Sequence, residues 1–200
     1  MAGGWKFVSE DEGSISLHDH WISRVDQVGE DLMLHFSSDG FDVTKDNPLN
    51  PTGRHRNTGP AAIVLKNWRF LEGAFNRDVE VHYPDGTRHY LPEEPLTREM
   101  FLSGAFEVEV LDFSWGRESG VFHLDGDGGV YCEDSDARDG PEGFIVLELY
   151  AERLLFCWND LPRDAWFQDW PKIGAAISRP LARAMCLFSA PPIFPNRLDV

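Results

Sequence analysis

The sequence predicts a mainly β protein, an antiparallel sheet or sandwich with hairpins, and three observations predict it. Apolar residues alternate with polar ones at a period of two in several segments, as in strands with one buried face. Pro, Gly, Asp and Asn cluster between those segments, where they bend the chain. Stretches with helical spacing are few, which leaves α+β as the alternative class. Apolar residues make up 42% of the 200 and aromatics 12%, with seven Trp and fourteen Phe, ample for a packed core. The length suits one domain over 1–200, with 171–200 read as a helix and an extended tail packed on it.

Taken in order, "SISLHDHWISRV" sets His18, Asp19 and His20 between two apolar runs. "DLMLHFS" puts Leu32, Leu34 and Phe36 on one face of a strand. "TKDNPLNPTGRHRNTGP" has no periodicity and is a loop. Ile63-Val64-Leu65 is a buried strand, and "VEVHYPDGTRHYL" is a hairpin turned by Pro84-Asp85-Gly86. A short helical turn fits Pro95 to Phe101. "FEVEVLDFSW" alternates Phe106, Val108 and Val110 against Glu107 and Glu109. "GVFHLDGDGGVYC" is expected to be a turn-broken pair with Asp-Gly-Asp-Gly-Gly at its tip. In "GFIVLELYAERLLFCW" the β-branched and aromatic content favours strands over a helix, as a hairpin turning near Ala151-Glu152-Arg153. A short C-terminal helix interrupted by Pro180, then the Pro-rich tail "SAPPIFPNRLDV", completes the expected fold.

The formal net charge is −16, from 34 acidic and 18 basic residues. That field repels nucleic-acid phosphates and anionic membranes and attracts a basic protein or a cation, although acidity also serves solubility alone. Cys132, Cys157 and Cys186 are odd in number and lack a C-x-x-C spacing, so neither a disulfide framework nor a zinc site is indicated. The N-terminal residues lack a secretory pattern, and no apolar run approaches the roughly 20 residues of a membrane span. The expectation is a cytoplasmic protein with no cofactor.

Three stretches could carry chemistry. On a strand, His18 and His20 would share a face with Asp19 opposite, and an H-x-H pair can hold a transition metal if His35, His82, His89 or His123 joins it. The bland alternative has them satisfy backbone groups at a strand end, and no metal is favoured. The acidic segment with Asp125, Asp127, Glu133, Asp134, Asp136, Asp139 and Glu142 could be a solvated loop, could hold calcium out of EF-hand register, or could dock a basic partner. In "CWNDLPRDAWFQDW", Trp158, Trp166, Phe167 and Trp170 lie among Asn159, Asp160, Asp164 and Asp169. Such a set suits a sugar platform, an interface hot spot or an aromatic plug of the core. No nucleophile elbow, phosphate loop or dinucleotide fingerprint is present, so no catalytic residue is assigned.

"SISLHDHWISRV", "DLMLHF" and "NTGPAAIVLKN" together resemble a pattern in small bacterial β-rich proteins that open with a His-Asp dipeptide and an alternating strand, some of them thought to be immunity proteins of polymorphic toxin systems. His18 and Asp19 match the dipeptide and Ile22 the apolar position after it, and the likeness covers the first third of the chain. It implies a binding role with His-Asp as a structural signature. The expected function is therefore a non-catalytic binding protein that neutralises a basic toxin. Its expected contact residues are Asp125, Asp127, Glu133, Asp134, Asp136, Asp139, Trp158, Asp160, Asp164 and Trp166. A metal-dependent β protein centred on His18 and His20, and a carbohydrate-binding module, are the alternatives.

Overall fold

The structure, a computed structural model, describes residues 4–76, 80–90, 93–131 and 141–168. The described strands are β1 Phe7–Ser9, β2 Ile15–Ser16, β3 His20–Val28, β4 Asp31–Phe36, β5 Asp42–Val43, β6 Arg56–Asn57, β7 Ala61–Lys66, β8 Arg69–Asn76, β9 Glu80–His82, β10 Arg88–Tyr90, β11 Glu94–Pro95, β12 Phe106–Gly116, β13 Val121–Val130, β14 Glu142–Tyr150, β15 Arg153–Trp158 and β16 Arg163–Asp164. A 3-10 turn at Glu12–Ser14 and one helical turn, α1 Arg98–Phe101, accompany them. The protein is mainly β, and every strand pairing among the described residues is antiparallel. The C-terminal helix and Pro-rich tail expected over 171–200 lie outside the described residues.

Ten strands form one sheet in the order β1-β15-β7-β4-β3-β12-β13-β14-β8-β11. Alternation reads through as expected: Leu32, Leu34 and Phe36 of β4, Phe106, Val108 and Val110 of β12, and Ile145, Leu147 and Leu149 of β14 are all buried. Each such side chain contributes about 1.5–3 kcal/mol relative to an exposed one.

Connection lengths show how the sheet is shaped. β7 and β8 are third and ninth in the order, and β15 and β14 second and eighth, yet only Asn67-Trp68 and Ala151-Glu152 join them. Six strand spacings laid flat would span roughly 29 Å, whereas three Cα steps reach at most about 11 Å, the distance between two stacked sheets. The sheet therefore folds over at the β3–β12 pairing, which is only three residue pairs long, into two facing layers. Phe113 of one layer meets Phe156 of the other edge-on at 6.1 Å. The two crossovers lie side by side: Glu152 N–H donates to Lys66 O at 2.9 Å, and Asn67 Nδ2 donates to Glu152 Oε2 at 2.6 Å.

Two expected turns are corrected by this topology. The strands on either side of Ala151-Glu152-Arg153 exist, but they do not pair as a hairpin. β14 pairs with β13 and β8, and β15 with β7 and β1. A period of two reports a buried face and says nothing about the neighbour. Asp-Gly-Asp-Gly-Gly is not a tip either, since it runs through the interior of β13. Its glycines serve close approach: a Cβ on Gly128 would lie 2.2 Å from Glu107 O, and one on Gly126 2.5 Å from Glu109 O.

Other local readings stand. Tyr83 N–H bonds to Thr87 O across the β9–β10 turn, and Asp85 Oδ1 accepts from Thr87 N at 2.9 Å and Oγ1 at 2.6 Å. Those bonds hold the Asp85 carboxyl below the ordinary carboxylate range. Thr97 caps α1 by accepting from Met100 N, and Phe101 packs on Phe106 at 5.1 Å and Trp68 at 6.1 Å. Residues 44–55 form turns without a strand, and the rest of that predicted loop contributes β6. A small sheet, β16-β6-β5-β2, carries the residues considered next.

Candidate functional site

His18-Asp19 is a turn that leads into β3 at His20, and not part of a strand. His20 N–H bonds to Leu17 O at 3.1 Å, and Asp19 sits at φ 64°, a region that Asp tolerates better than most residues. The turn plugs the bulge of β12, where register shifts between Val110 and Asp112. Asp19 N–H donates to Val110 O at 2.9 Å, and His18 Nδ1–H donates to Leu111 O at 2.7 Å. At the bulge, where the regular ladder is interrupted, the His-Asp dipeptide supplies donors to both carbonyls.

The turn also separates the two histidines. His18 is exposed, whereas His20 turns inward, 6% exposed, with Nε2 3.2 Å from Oδ2 of Asp42, which is fully buried. The shared H-x-H face expected for a metal does not form. No group of three or more His, Cys, Asp or Glu placed to hold a metal occurs among the described residues. Neither His20 Nε2 nor Asp42 Oδ2 makes a hydrogen bond of proper geometry among the described residues. Asp42 Oδ1 accepts from Asn57 Nδ2 at 3.0 Å, and Asn57 Oδ1 accepts from Arg163 Nε at 3.0 Å, whose Nη2 donates to Asp39.

These groups line a cavity of about 370 Å³ with Asp19, Trp21, Ser37, Asp164 and Trp166. Trp166 is 46% exposed at the rim, with its ring 6.5 Å from that of His18. Asp164 accepts from Arg54 through both oxygens and from Arg56, and the Arg54 hydrogen bonds chiefly hold its carboxyl below the ordinary range. The chain matches no protein-family model, and no curated protein and no solved structure matches it.

The other concentration of charge is the outer face of β12, β13, β14 and β8. Glu109 lies directly opposite Asp127, Asp112 opposite Asp125, and Glu148 opposite Glu72. Like charges facing each other across antiparallel strands oppose folding. His123 stands between two of them, 3.1 Å from Asp125 and 3.5 Å from Glu148. Arg69 sits at the end of the face, stacked over Tyr150 at 4.3 Å. Glu72, Glu93 and Glu148 edge a groove of about 220 Å³ floored by Ala74 and Val146. Trp21 of β3 pairs with Glu109, so the face runs up to the rim of the His20 cavity.

The expected contact residues are thus dispersed. Asp125 and Asp127 are strand residues and not loop ligands, while Glu133, Asp134, Asp136 and Asp139 lie outside the described residues. Trp158 is corrected to core: it is fully buried, stacked on Phe7 at 5.7 Å and edge-on to Phe41 at 6.0 Å. A ring enclosed on that many sides has no face left for a partner. Asp160 is exposed and caps Leu161 N–H, and Asp164 and Trp166 reach the cavity; Trp170 and Asp169 lie outside the described residues. Sequence reasoning missed Asp39, Asp42, Asn57 and Arg163. The one local signal was a carboxylate inside "GFDV", between two apolar residues.

Proposed function

We propose that the protein is a binding protein that captures a basic protein partner on the outer face of β12, β13, β14 and β8, in the manner of an immunity protein against a basic toxin. The reading is carried by one observation, the three carboxylate pairs placed directly opposite each other on that exposed face. Such an arrangement costs folding stability, and a cationic partner that relieves the repulsion gains that energy on binding. The −16 net charge supports the same reading, because it steers basic partners to the surface and raises association rates. The resemblance of the first third of the chain to small bacterial β-rich proteins, some of them thought to be immunity proteins, supports a toxin as the class of partner.

The test is to coexpress the protein with a basic toxin-like domain encoded beside its gene; a neighbourhood without one, together with no partner in a pull-down, overturns the reading. Wild-type protein is expected to protect cells and to bind the purified domain with an affinity that falls steeply with salt. A Glu109→Lys, Asp127→Lys, Glu148→Lys variant is expected to fold and to lose protection. Undiminished protection by that variant overturns the proposal.

A further inference from the structure

The acidic face accounts for nothing in the cavity beneath Trp21, and the cavity has features of a built site. At its floor lie a fully buried carboxylate and a 6% exposed histidine, with Asp42 Oδ2 and His20 Nε2 each lacking a properly formed hydrogen bond among the described residues. Buried polar groups are ordinarily satisfied, and these two atoms have only each other, at 3.2 Å and outside hydrogen-bond geometry, so a cationic donor entering the cavity would complete the pair.

The charges indicate what that ligand carries. Asp39 is held by Arg163, and Asp164 by Arg54 and Arg56. Among the described residues, the remaining carboxylates of the lining, Asp19 and Asp42, have only histidines as ionic partners, His18 at 3.4 Å and His20 at 3.2 Å. Two carboxylates without a strong cation, in a molecule of charge −16, make the cavity a cation site. Trp21 and Trp166, 37% and 46% exposed, stand at the rim as faces for cation–π contact. The volume, about 370 Å³, is at the small end of ligand pockets and suits one side chain.

We infer that this cavity is a socket for a guanidinium or ammonium side chain, so that an Arg or Lys of the partner inserts between Trp21 and Trp166 towards Asp42. This deepens the reading above and rests on it for the origin of the side chain: Trp21 pairs with Glu109, which places the socket at the border of the acidic face. A planar guanidinium matches the site best, since it stacks on indole and presents a fork of donors to a carboxylate.

The socket is tested apart from any partner, with L-argininamide as probe and the neutral citrulline amide and a methyl glycoside as controls. Binding is followed on the indole N–H resonances of Trp21 and Trp166, assigned with single Trp→Phe variants. The expected result is a saturable, salt-sensitive shift of both resonances with argininamide alone. Binding is expected to be about tenfold weaker in Trp166→Ala, a rim residue whose loss spares the core, and also weaker in Asp42→Asn. Equal binding of citrulline amide overturns the inference, as does glycoside binding in place of argininamide, or no shift at all. The same titration on the Glu109→Lys, Asp127→Lys, Glu148→Lys variant separates the two readings. A socket that still binds argininamide there survives failure of the acidic-face proposal. Protection by wild type without argininamide binding removes the socket alone.

Discussion

Replacing Glu109 with Lys is expected to stabilise the fold. Glu109 faces Asp127 directly, and two such carboxylates are held about 5 Å apart at Cβ. In water at that separation, Coulomb's law gives about 0.8 kcal/mol of repulsion, and reversing one charge turns it into an attraction of similar size. Discounted for screening at a partly exposed position, the net gain is about 1 kcal/mol, or roughly 2–4 °C in Tm for a chain of this size. The assay is urea denaturation of wild type and variant at about 0.01 M and about 1 M salt, where the Debye length falls from about 30 Å to about 3 Å. The gain should be largest at low salt and shrink at high salt, while wild type itself becomes more stable as salt rises. A variant less stable than wild type at low salt refutes the reasoning. So does a gain that salt leaves untouched, because it would come from packing and not from charge. A stabilising substitution that removes binding is also the signature of a surface kept frustrated for function.

Further outcomes follow from other parts of the fold. Gly128→Ala should cost about 2 kcal/mol or more in a denaturant titration, because its Cβ would press on backbone atoms of β12 at 2.2 Å and 2.8 Å that cannot move aside without breaking strand pairing. His35 has its pKa lowered from the ordinary 6.5, first by burial and then by the charge of Arg24, against the opposing pull of Asp26. The unfolded chain therefore takes up that proton first, so stability should decline as pH falls below about 6.5 and stop declining once the native value is passed; His35→Gln should flatten that part of the curve. Burial pushes the Cys157 thiol up to about 12. In a Cys132→Ala, Cys186→Ala background it should resist a thiol reagent at pH 8 in the folded protein and react on denaturation, as only about one thiol in 10⁴ is ionised there.

Class and strand positions were legible because burial of one face imprints a period of two on the residues themselves. Leu32, Leu34 and Phe36, or Ile145, Leu147 and Leu149, announce their strands whatever the rest of the chain does. The Pro-Asp-Gly turn was legible for the same reason, its chemistry being complete within a few residues. Misreadings arose where a residue's reason lies in a distant segment. Gly126 and Gly128 looked like turn glycines because the backbone that presses on them belongs to β12. Trp158 stood among the expected contact residues, with a core plug as the alternative, because Phe7 and Phe41, which enclose it, are more than a hundred residues away.

His18, Asp19 and His20 show the division most clearly. Sequence alone determined that a polar, proton-handling stretch interrupts two apolar runs there, since composition and periodicity are local properties. Only tertiary structure decided that His18 and Asp19 close a bulge in β12 while His20 meets Asp42 beneath a cavity. It likewise set Glu109 against Asp127 and Glu148 against Glu72. The physical reason is that alternation fixes which face a side chain occupies, whereas register and sheet order are settled by long-range pairing across the whole core.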